Sequence, residues 1–152
     1  MNETNKKKVL PKPSKTSRTL PIALLRAKEV VMEPYRSMLQ ASNISEPKWR
    51  VLRIVQELGP VGQARIAEAT CIMMPSLTRI LKAMEQDGLL TRENDPSDRR
   101  TTLVSISESG EALIAEHFMR SAKITKKLTE DIGPERLETL LDLLEDVRKL
   151  KF

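Results

Sequence analysis

A chain of 152 residues, 39% hydrophobic and 31% charged, is long enough to bury one core, and this composition excludes a disordered or membrane-embedded class. No apolar run approaches the roughly 18 residues that a membrane helix needs, and no apolar stretch follows the basic N-terminus as it would in a secretory signal. The single cysteine, Cys71, excludes an internal disulfide and suits a reducing compartment, so we expect a cytoplasmic protein.

The positive charge is concentrated at the N-terminus. The chain has 26 basic and 21 acidic residues, of which six basic and one acidic fall within residues 1–20, so residues 21–152 carry 20 of each. Lysines interspersed with prolines predict a disordered basic tail over residues 1–19, followed by a single domain over residues 20–152. Such a tail either solubilises a chain or contacts nucleic-acid phosphates, and both interpretations stay open.

The first half of the domain is predicted to be helical. A long helix is predicted over residues 20–43, with Pro34 as the site of a kink. Ser45 has the side chain of a good N-cap for a second helix, which Gly59 and the following proline end. A short helix over residues 62–69 is predicted next.

Pro75 and Gly88 mark the two ends of the following helix, because proline suits a first helical position and glycine a C-terminal cap. Between them, apolar residues follow the spacing of a buried helical stripe: Leu77, Ile80, Leu81 and Met84. Together with the short helices before it, this helix outlines a helix-turn-helix.

The spacing of the apolar residues changes after this motif. Residues 89–92 and 102–106 are short β-prone segments that flank a polar, turn-rich stretch over residues 94–100. This pattern predicts a β-hairpin with a long polar tip, which is a wing. The predicted fold class is therefore mainly α with a small β-hairpin, a winged helix-turn-helix whose DNA-binding lobe covers about residues 46–106.

The chain ends in two further amphipathic helices. Ser107 caps the first, which runs to about residue 131, and a last helix over residues 135–150 places its leucines on one side. The terminal helices, about 20–43 and 107–150, carry more apolar surface than a small lobe can cover, which predicts a homodimer. In the alternative, these helices pack only on each other within one chain.

The outward face of the predicted recognition helix carries groups that suit DNA. Ser76, Thr78, Arg79 and Lys82 project away from the apolar stripe, near the helix half that enters the major groove in helix-turn-helix proteins. Arginine suits the guanine edge, and hydroxyl groups suit phosphates or bases. The alternative is an ordinary solvated helix face.

The wing tip adds a second candidate DNA contact. Asp98, Arg99 and Arg100 stand together in the predicted turn. A narrow minor groove attracts an inserted arginine, and a neighbouring carboxylate can hold a guanidinium in place. A recognition helix and a minor-groove arginine in each subunit of a dimer would together bind double-stranded DNA, so we predict a DNA-binding protein.

Three segments resemble the MarR family of bacterial transcription regulators, namely Pro75-Ser-Leu-Thr-Arg-Ile-Leu-Lys-Ala-Met-Glu-Gln-Asp-Gly-Leu-Leu, Asp95-Pro-Ser-Asp-Arg-Arg and Leu103-Val-Ser-Ile-Ser-Glu-Ser-Gly. The resemblance covers about residues 20–150. It implies a triangular dimer, held by the first and last helices, on a pseudo-palindromic operator. It also implies that Arg100 enters the minor groove, that Asp98 orients it and that Arg99 lies near phosphate.

Some segments resemble the members of this family that repress aromatic-acid degradation operons: Ile22-Ala-Leu-Leu, Trp49-Arg50, Cys71-Ile72 and Pro75-Ser-Leu-Thr. The lysine-rich N-terminal extension departs from that subgroup. The resemblance implies a phenolic carboxylate effector, such as homoprotocatechuate or 4-hydroxyphenylacetate, in a cleft between the dimer helices and the DNA-binding lobe. The candidate effector-binding residues are Arg26, Trp49, Arg50 and His117.

Alternative roles stay open for several of these residues. Trp49 either stacks on a ligand ring or anchors the core, and His117 either contacts a ligand or is a partly buried structural residue. Cys71 is predicted to pack in the core, although an oxidant-sensing role is the alternative. The methionines, including Met73, Met74 and Met84, are predicted to fill the core. One histidine and one cysteine form neither a catalytic triad nor a metal site, so we expect no enzyme activity, metal or cofactor. A winged helix that binds only other proteins is a further alternative.

Overall fold

The computed structural model describes residues 15–151. Within this range, a 3₁₀ turn (Thr16–Arg18) precedes six α-helices and three strands. In chain order the elements are α1 (Leu20–Gln40), α2 (Glu46–Leu58), β1 (Val61–Gly62), α3 (Gln63–Thr70), α4 (Met74–Gln86), β2 (Leu90–Asn94), β3 (Thr102–Ile106), α5 (Glu108–Ile132) and α6 (Pro134–Arg148).

The chain divides into two compact units, residues 1–33 and residues 34–152. Most of the predicted basic tail, residues 1–14, lies outside the described residues. In the rest of the first unit, Thr16–Arg18 turn because Thr19 donates from both its backbone N and its Oγ1 to the carbonyl of Thr16. The N-terminal part of α1 also belongs to this unit, and several of its apolar side chains are exposed, namely Leu20, Leu24, Leu25, Val30 and Val31.

Local signals in the sequence place most helix ends correctly. The Ser45 hydroxyl accepts a hydrogen bond from the backbone N of Lys48, and the Ser107 hydroxyl accepts one from that of Gly110, as expected of N-caps. Gly88 follows α4 with a φ of 72°, a left-handed conformation that favours glycine. Pro34, which was expected to kink α1, lies inside that helix without ending it.

The core of the second unit lies where α2, α3 and α4 meet the sheet. The predicted stripe of α4 is confirmed, since Leu77, Leu81 and Met84 are fully buried and Ile80 packs against them half-buried. The remaining buried apolar side chains come mainly from α2 and its surroundings: Met38, Leu39, Trp49, Val51, Leu52, Val55, Val61, Ile66, Leu89, Leu90, Val104 and Ile114. Each buried side chain of this size contributes roughly 1.5–3 kcal/mol, so this core fixes the orientation of α4.

The sheet has three strands where the sequence predicted a two-stranded hairpin. The wing strands β2 and β3 pair antiparallel, with Leu90 opposite Ile106 and Asn94 opposite Thr102. The strand that was missed, β1, pairs with the other edge of β3 and sets Val61 opposite Val104. Two residues are too few to show the alternating pattern that identifies a strand in sequence.

Three further predictions about core residues near α4 are wrong. Cys71 was expected to be buried, but it ends α3 in a left-handed conformation with φ of 53°, and its side chain is exposed. Its neighbour Ile72 packs against the core instead. Met73 and Met74 were expected to fill the core as Met84 does, yet they are 79% and 44% exposed.

The last helix of the chain leaves an apolar face uncovered. None of the side chains of α6 is buried, and large apolar groups are exposed on it and just after it, at Leu140, Leu141, Leu143 and Leu150. This face is unlike that of a helix packed inside one chain. Across residues 15–151, the length and hydropathy needed to cross a bilayer are not found in any helix.

Candidate DNA interface and ligand cleft

The helix-turn-helix consists of α3, the turn at residues 71–73, and α4. Because the apolar stripe of α4 is buried, its opposite face is presented outward, and Thr78, Arg79 and Lys82 are exposed there while Ser76 is half-buried. The Thr78 hydroxyl donates to the carbonyl of Met74 at 3.0 Å, so it retains only acceptor capacity for another partner. The structure thus brings the four predicted recognition residues onto one surface.

A shallow groove beside this surface contains residues that the sequence reasoning missed. It has a volume of about 380 Å³, and α2 and α4 line it through Ser45, Pro47, Lys48, Ser76, Arg79, Ile80 and Ala83. The Lys48 ammonium lies 2.8 Å from a carboxylate oxygen of Asp87. The sequence did contain a signal for Lys48, because this lysine lies in the first turn of an N-capped helix. A cation there is repelled by the positive end of the helix dipole, so it needs another reason to occupy that position.

The wing tip is a compact turn held by two aspartates. The carboxylate of Asp95 accepts from the backbone N and the hydroxyl of Ser97, and these bonds hold the pKa of Asp95 below its ordinary value. Asp98 accepts from the backbone N of Arg100 and from the hydroxyl of Thr101, each at 3.0 Å. The two bonds from Ser97 to Asp95 are therefore kept at neutral pH and are lost only as pH falls through the lowered pKa of Asp95.

The contacts of Asp98 differ from the predicted carboxylate–guanidinium pair. Both of its oxygens bind groups of the turn, so Asp98 fixes the backbone of Arg100 and leaves the guanidinium exposed. Arg99 is exposed as well. The wing thus presents the exposed side chains of two arginines, and Asp98 fixes the backbone conformation of the turn that carries them.

A second feature of the second unit is an open cleft of about 530 Å³ between the end of α1, α2 and α5. Its walls combine aromatic rings, small polar groups and two cations, and are formed by Tyr35, Trp49, Arg53, Phe118, Ser121, Ala122, Thr125 and Lys126. The Tyr35 hydroxyl lies 3.0 Å from the hydroxyl of Thr125 and ties α1 to α5 across the cleft. Apolar walls with a few convergent polar groups are typical of small-molecule sites.

The predicted effector residues do not all line this cleft. Trp49 does, whereas His117 is fully buried behind it, with the two rings edge to face at a centroid distance of 5.6 Å. The Nε2 atom of His117 lies 2.8 Å from the Ser42 hydroxyl. The histidine is wholly buried, whereas the alternative to ligand contact predicted a partly buried residue. Arg50 pairs with Glu46 at 3.3 Å and is absent from the cleft lining. Arg26 lies in the first unit with its side chain exposed.

Arg53 is, with Lys126, one of the two cleft cations that the sequence-based prediction did not include. Its guanidinium donates to the amide oxygen of Gln56 at 2.9 Å, and the amide nitrogen of Gln56 donates to Glu111 at 2.7 Å. This chain of bonds holds the guanidinium at the junction of the cleft and a smaller neighbouring pocket of about 400 Å³. Its four-residue spacing from Trp49 on α2 was the available signal, because such residues share a helix face.

No arrangement for metal chemistry is seen in the part of the chain that the structure describes. Between residues 15 and 151, no three histidine, cysteine, aspartate or glutamate side chains are grouped to hold a metal ion. The Cys71 sulfur has one contact of hydrogen-bond type, 3.9 Å from the carbonyl oxygen of Glu68.

Comparison with known proteins identifies the family. The sequence pattern of the MarR family matches residues 44–102, which run from just before α2 through α3 and α4 to the beginning of β3. The homoprotocatechuate degradative operon repressor of Escherichia coli is 33% identical over 128 residues, covering 84% of this chain and 86% of that protein. The chain belongs to the MarR family.

Solved structures of MarR-family regulators share the fold of this chain. The structure of NadR in complex with 4-hydroxyphenylacetate has a TM-score of 0.82 and 31% identity, and the match covers 93% of this chain and all of that one. The repressor CouR bound to a 23-mer DNA duplex has a TM-score of 0.78 and 27% identity over 92% and 99% of the two chains. The winged helix-turn-helix predicted from the sequence is confirmed, and this MarR-family protein is a DNA-binding transcription regulator.

Proposed function

We propose that this MarR-family protein is a homodimeric repressor that releases a pseudo-palindromic operator when an aromatic carboxylate occupies its cleft. The observation that carries the proposal is the pairing of Arg53 with the aromatic walls of Trp49, Tyr35 and Phe118 in one cleft of a winged helix-turn-helix chain. This function requires no catalytic step, metal or cofactor.

The DNA-binding half of the proposal rests on two surfaces. Arg79 and Lys82 stand exposed on the helix that enters the major groove in helix-turn-helix docking, beside Ser76 and Thr78. Arg99 and Arg100 are exposed on the wing. In the proposed complex, Arg100 enters the minor groove and Arg99 contacts a phosphate. A dimer repeats both surfaces and reads half-sites about one helical turn apart.

The effector half of the proposal rests on the chemistry of the cleft. A guanidinium fork matches a carboxylate, and the flat rings of Trp49 and Phe118 suit an aromatic ring. The cleft volume falls within the range of small-molecule sites. The ligand in the NadR complex and the name of the E. coli relative support a hydroxylated phenylacetate as the effector class. Lys126 of α5 lines the same cleft and adds a second positive charge.

The exposed face of α6 supports the dimer and predicts the effect of a charge placed there. Leu140→Glu is expected to raise the dimer dissociation constant at least tenfold, because burying a leucine at an interface contributes roughly 1.5–3 kcal/mol. Sedimentation velocity over a concentration series measures the change. Thr139→Glu places the same charge on the neighbouring exposed position and is the control. Equal dissociation constants for both variants would contradict a dimer through this face.

The geometry of the wing predicts a non-additive pair of substitutions. Arg100→Ala is expected to weaken operator binding by about 1–3 kcal/mol, typical of a lost arginine contact. Asp98→Ala removes the two bonds that Asp98 accepts within the turn and is expected to lose part of the same energy. The double variant should cost less than the sum of the single ones, because both act on one contact.

Fluorescence anisotropy on a duplex that the chain selects from a random pool measures these energies. Asp98→Asn, which retains an oxygen acceptor for the backbone N of Arg100, is expected to fall between Asp98→Ala and the unsubstituted chain. Thr91→Ala, an exposed change on β2, is the control for general effects on the wing. Strictly additive losses would show that the turn does not position the arginine.

The proposed regulation predicts a reciprocal coupling between ligand and operator. 4-Hydroxyphenylacetate is expected to weaken operator binding by about 1–3 kcal/mol, and operator DNA must weaken ligand binding by the same factor. Calorimetric titration of the compound with and without the selected duplex measures both effects. Equal ligand affinity in the two titrations would show that the compound binds without regulating. Peroxide treatment of the Cys71→Ser variant and of the unsubstituted chain tests the oxidant alternative in the same assay.

A further inference from the structure

Two large apolar side chains stand exposed at the start of α4, beside the polar side chains of the predicted recognition surface. Met73 is 79% exposed and Met74 is 44% exposed, while Met84 in the same helix is fully buried. Neither residue belongs to the core, and both are remote in sequence from the terminal helices that carry the proposed dimer surface. Their exposure leaves both side chains available for contact with a partner that binds this end of α4.

The geometry of the helix places Met74 on the DNA-facing row. The hydroxyl of Thr78 donates to the carbonyl of Met74 at 3.0 Å, so the two residues stand one turn apart on the same face, and Lys82 continues the row. All three side chains are exposed.

Met73 occupies the N-cap position, where helices favour serine, threonine, aspartate or asparagine. Its backbone is extended, and its side chain makes no capping hydrogen bond. Capping therefore does not explain this methionine. Its exposed thioether side chain extends the apolar patch of Met74 at the end of the helix that approaches the bases.

We propose that Met73 and Met74 read thymine in the major groove through its C5-methyl group. The N-terminal residues of a recognition helix reach the base edges, and the thymine methyl is the apolar group that the major groove displays. Flexible thioether side chains adapt well to such contacts. The inference rests on the proposed function, and it adds a specificity determinant for A·T pairs that complements the polar contacts of Arg79 and Lys82.

Removing single methyl groups from the DNA tests this assignment. Thymidine is replaced by deoxyuridine, one position at a time, in the duplex that the chain selects from a random pool. At one or two positions in each half-site, binding is expected to weaken about fourfold, the value for one buried methyl group. Replacement at both symmetry-related positions is expected to weaken binding by roughly fifteenfold.

Variants of the chain assign the effect to the two methionines. The Met73→Ala, Met74→Ala double variant is expected to bind the thymidine and deoxyuridine duplexes equally at those positions, and the double leucine variant to retain part of the difference. Met119→Ala, which removes an exposed methionine from α5, is the control and should keep the full sensitivity to deoxyuridine.

An unchanged sensitivity in the double alanine variant would overturn the assignment, and so would a selected duplex in which no thymine methyl affects binding. Both results would leave the proposed DNA-binding function standing. Failure of the unsubstituted chain to select any duplex would overturn the proposed function, and this assignment with it.

Discussion

Gly110→Ala is expected to lower the free energy of unfolding by about 3 kcal/mol or more, at the upper end of the range for overpacked sites. Gly110 is buried in the first turn of α5, where a Cβ atom would meet the carbonyl oxygen of Leu89 and approach Cγ1 of Ile106 at 2.7 Å. That carbonyl accepts the backbone N–H of Ser107, whose hydroxyl donates to the carbonyl of Gly88 at 2.6 Å. A side chain here would therefore push α5 away from the start of the wing.

Chemical denaturation at a fixed protein concentration measures this loss, since dimerisation makes the apparent stability depend on concentration. Ser109→Ala is the control, because it alters the adjacent exposed position in the same helical turn. We expect that control to stay within about 0.5 kcal/mol of the unsubstituted chain. Equal denaturation midpoints for the two variants would show that α5 can shift without cost at this point.

Arg53→Ala is expected to weaken the binding of 4-hydroxyphenylacetate by about 3 kcal/mol, roughly a hundredfold, because a guanidinium fork donates two charge-assisted bonds to a carboxylate. Gln56 and Glu111 hold this guanidinium in place before the ligand arrives, so little ordering is needed on binding. Arg53→Lys keeps the charge but loses the fork and is expected to recover only part of the affinity. Calorimetric titration without DNA isolates this effect from operator binding.

Arg50→Ala is the matched control for Arg53. It removes an arginine from the same helix, but one that pairs with Glu46 and lies off the cleft lining. The ligand affinity of this control is expected to stay within about twofold of the unsubstituted chain. A large loss for Arg50 with no loss for Arg53 would place the carboxylate in another part of the molecule.

The elements that could be predicted from sequence are those specified by local chemistry. The ends of α2 and α5 follow from the hydroxyl caps of Ser45 and Ser107, and the burial of α4 follows from its apolar spacing. The wing follows from a polar turn between two β-prone segments. Each of these signals lies within a few residues, so the elements can be predicted without knowledge of the tertiary fold.

The predictions that failed depend on contacts between distant segments. β1 exists because β3 offers it a free edge, and nothing within its two residues specifies a strand. Cys71 is exposed because the turn between α3 and α4 takes a left-handed residue there. The lining of the cleft also depends on distant segments, since it brings Tyr35 of α1 together with Lys126 of α5. Residue type alone does not separate Arg53, which lines the cleft, from Arg50, so the assignment of the effector-binding residues stays a prediction.

The position of Trp49 also gives the protein an optical signal of its own. It is the only tryptophan of the chain, and its ring forms a wall of the cleft while its edge meets the buried imidazole of His117. The tryptophan emission of the chain thus comes from one indole at the proposed ligand cleft and none at the proposed DNA-binding surface. Stopped-flow emission can therefore time ligand entry, and a fluorophore on the duplex can time operator release. The order of the two events would separate a ligand that captures free dimer from one that displaces bound dimer.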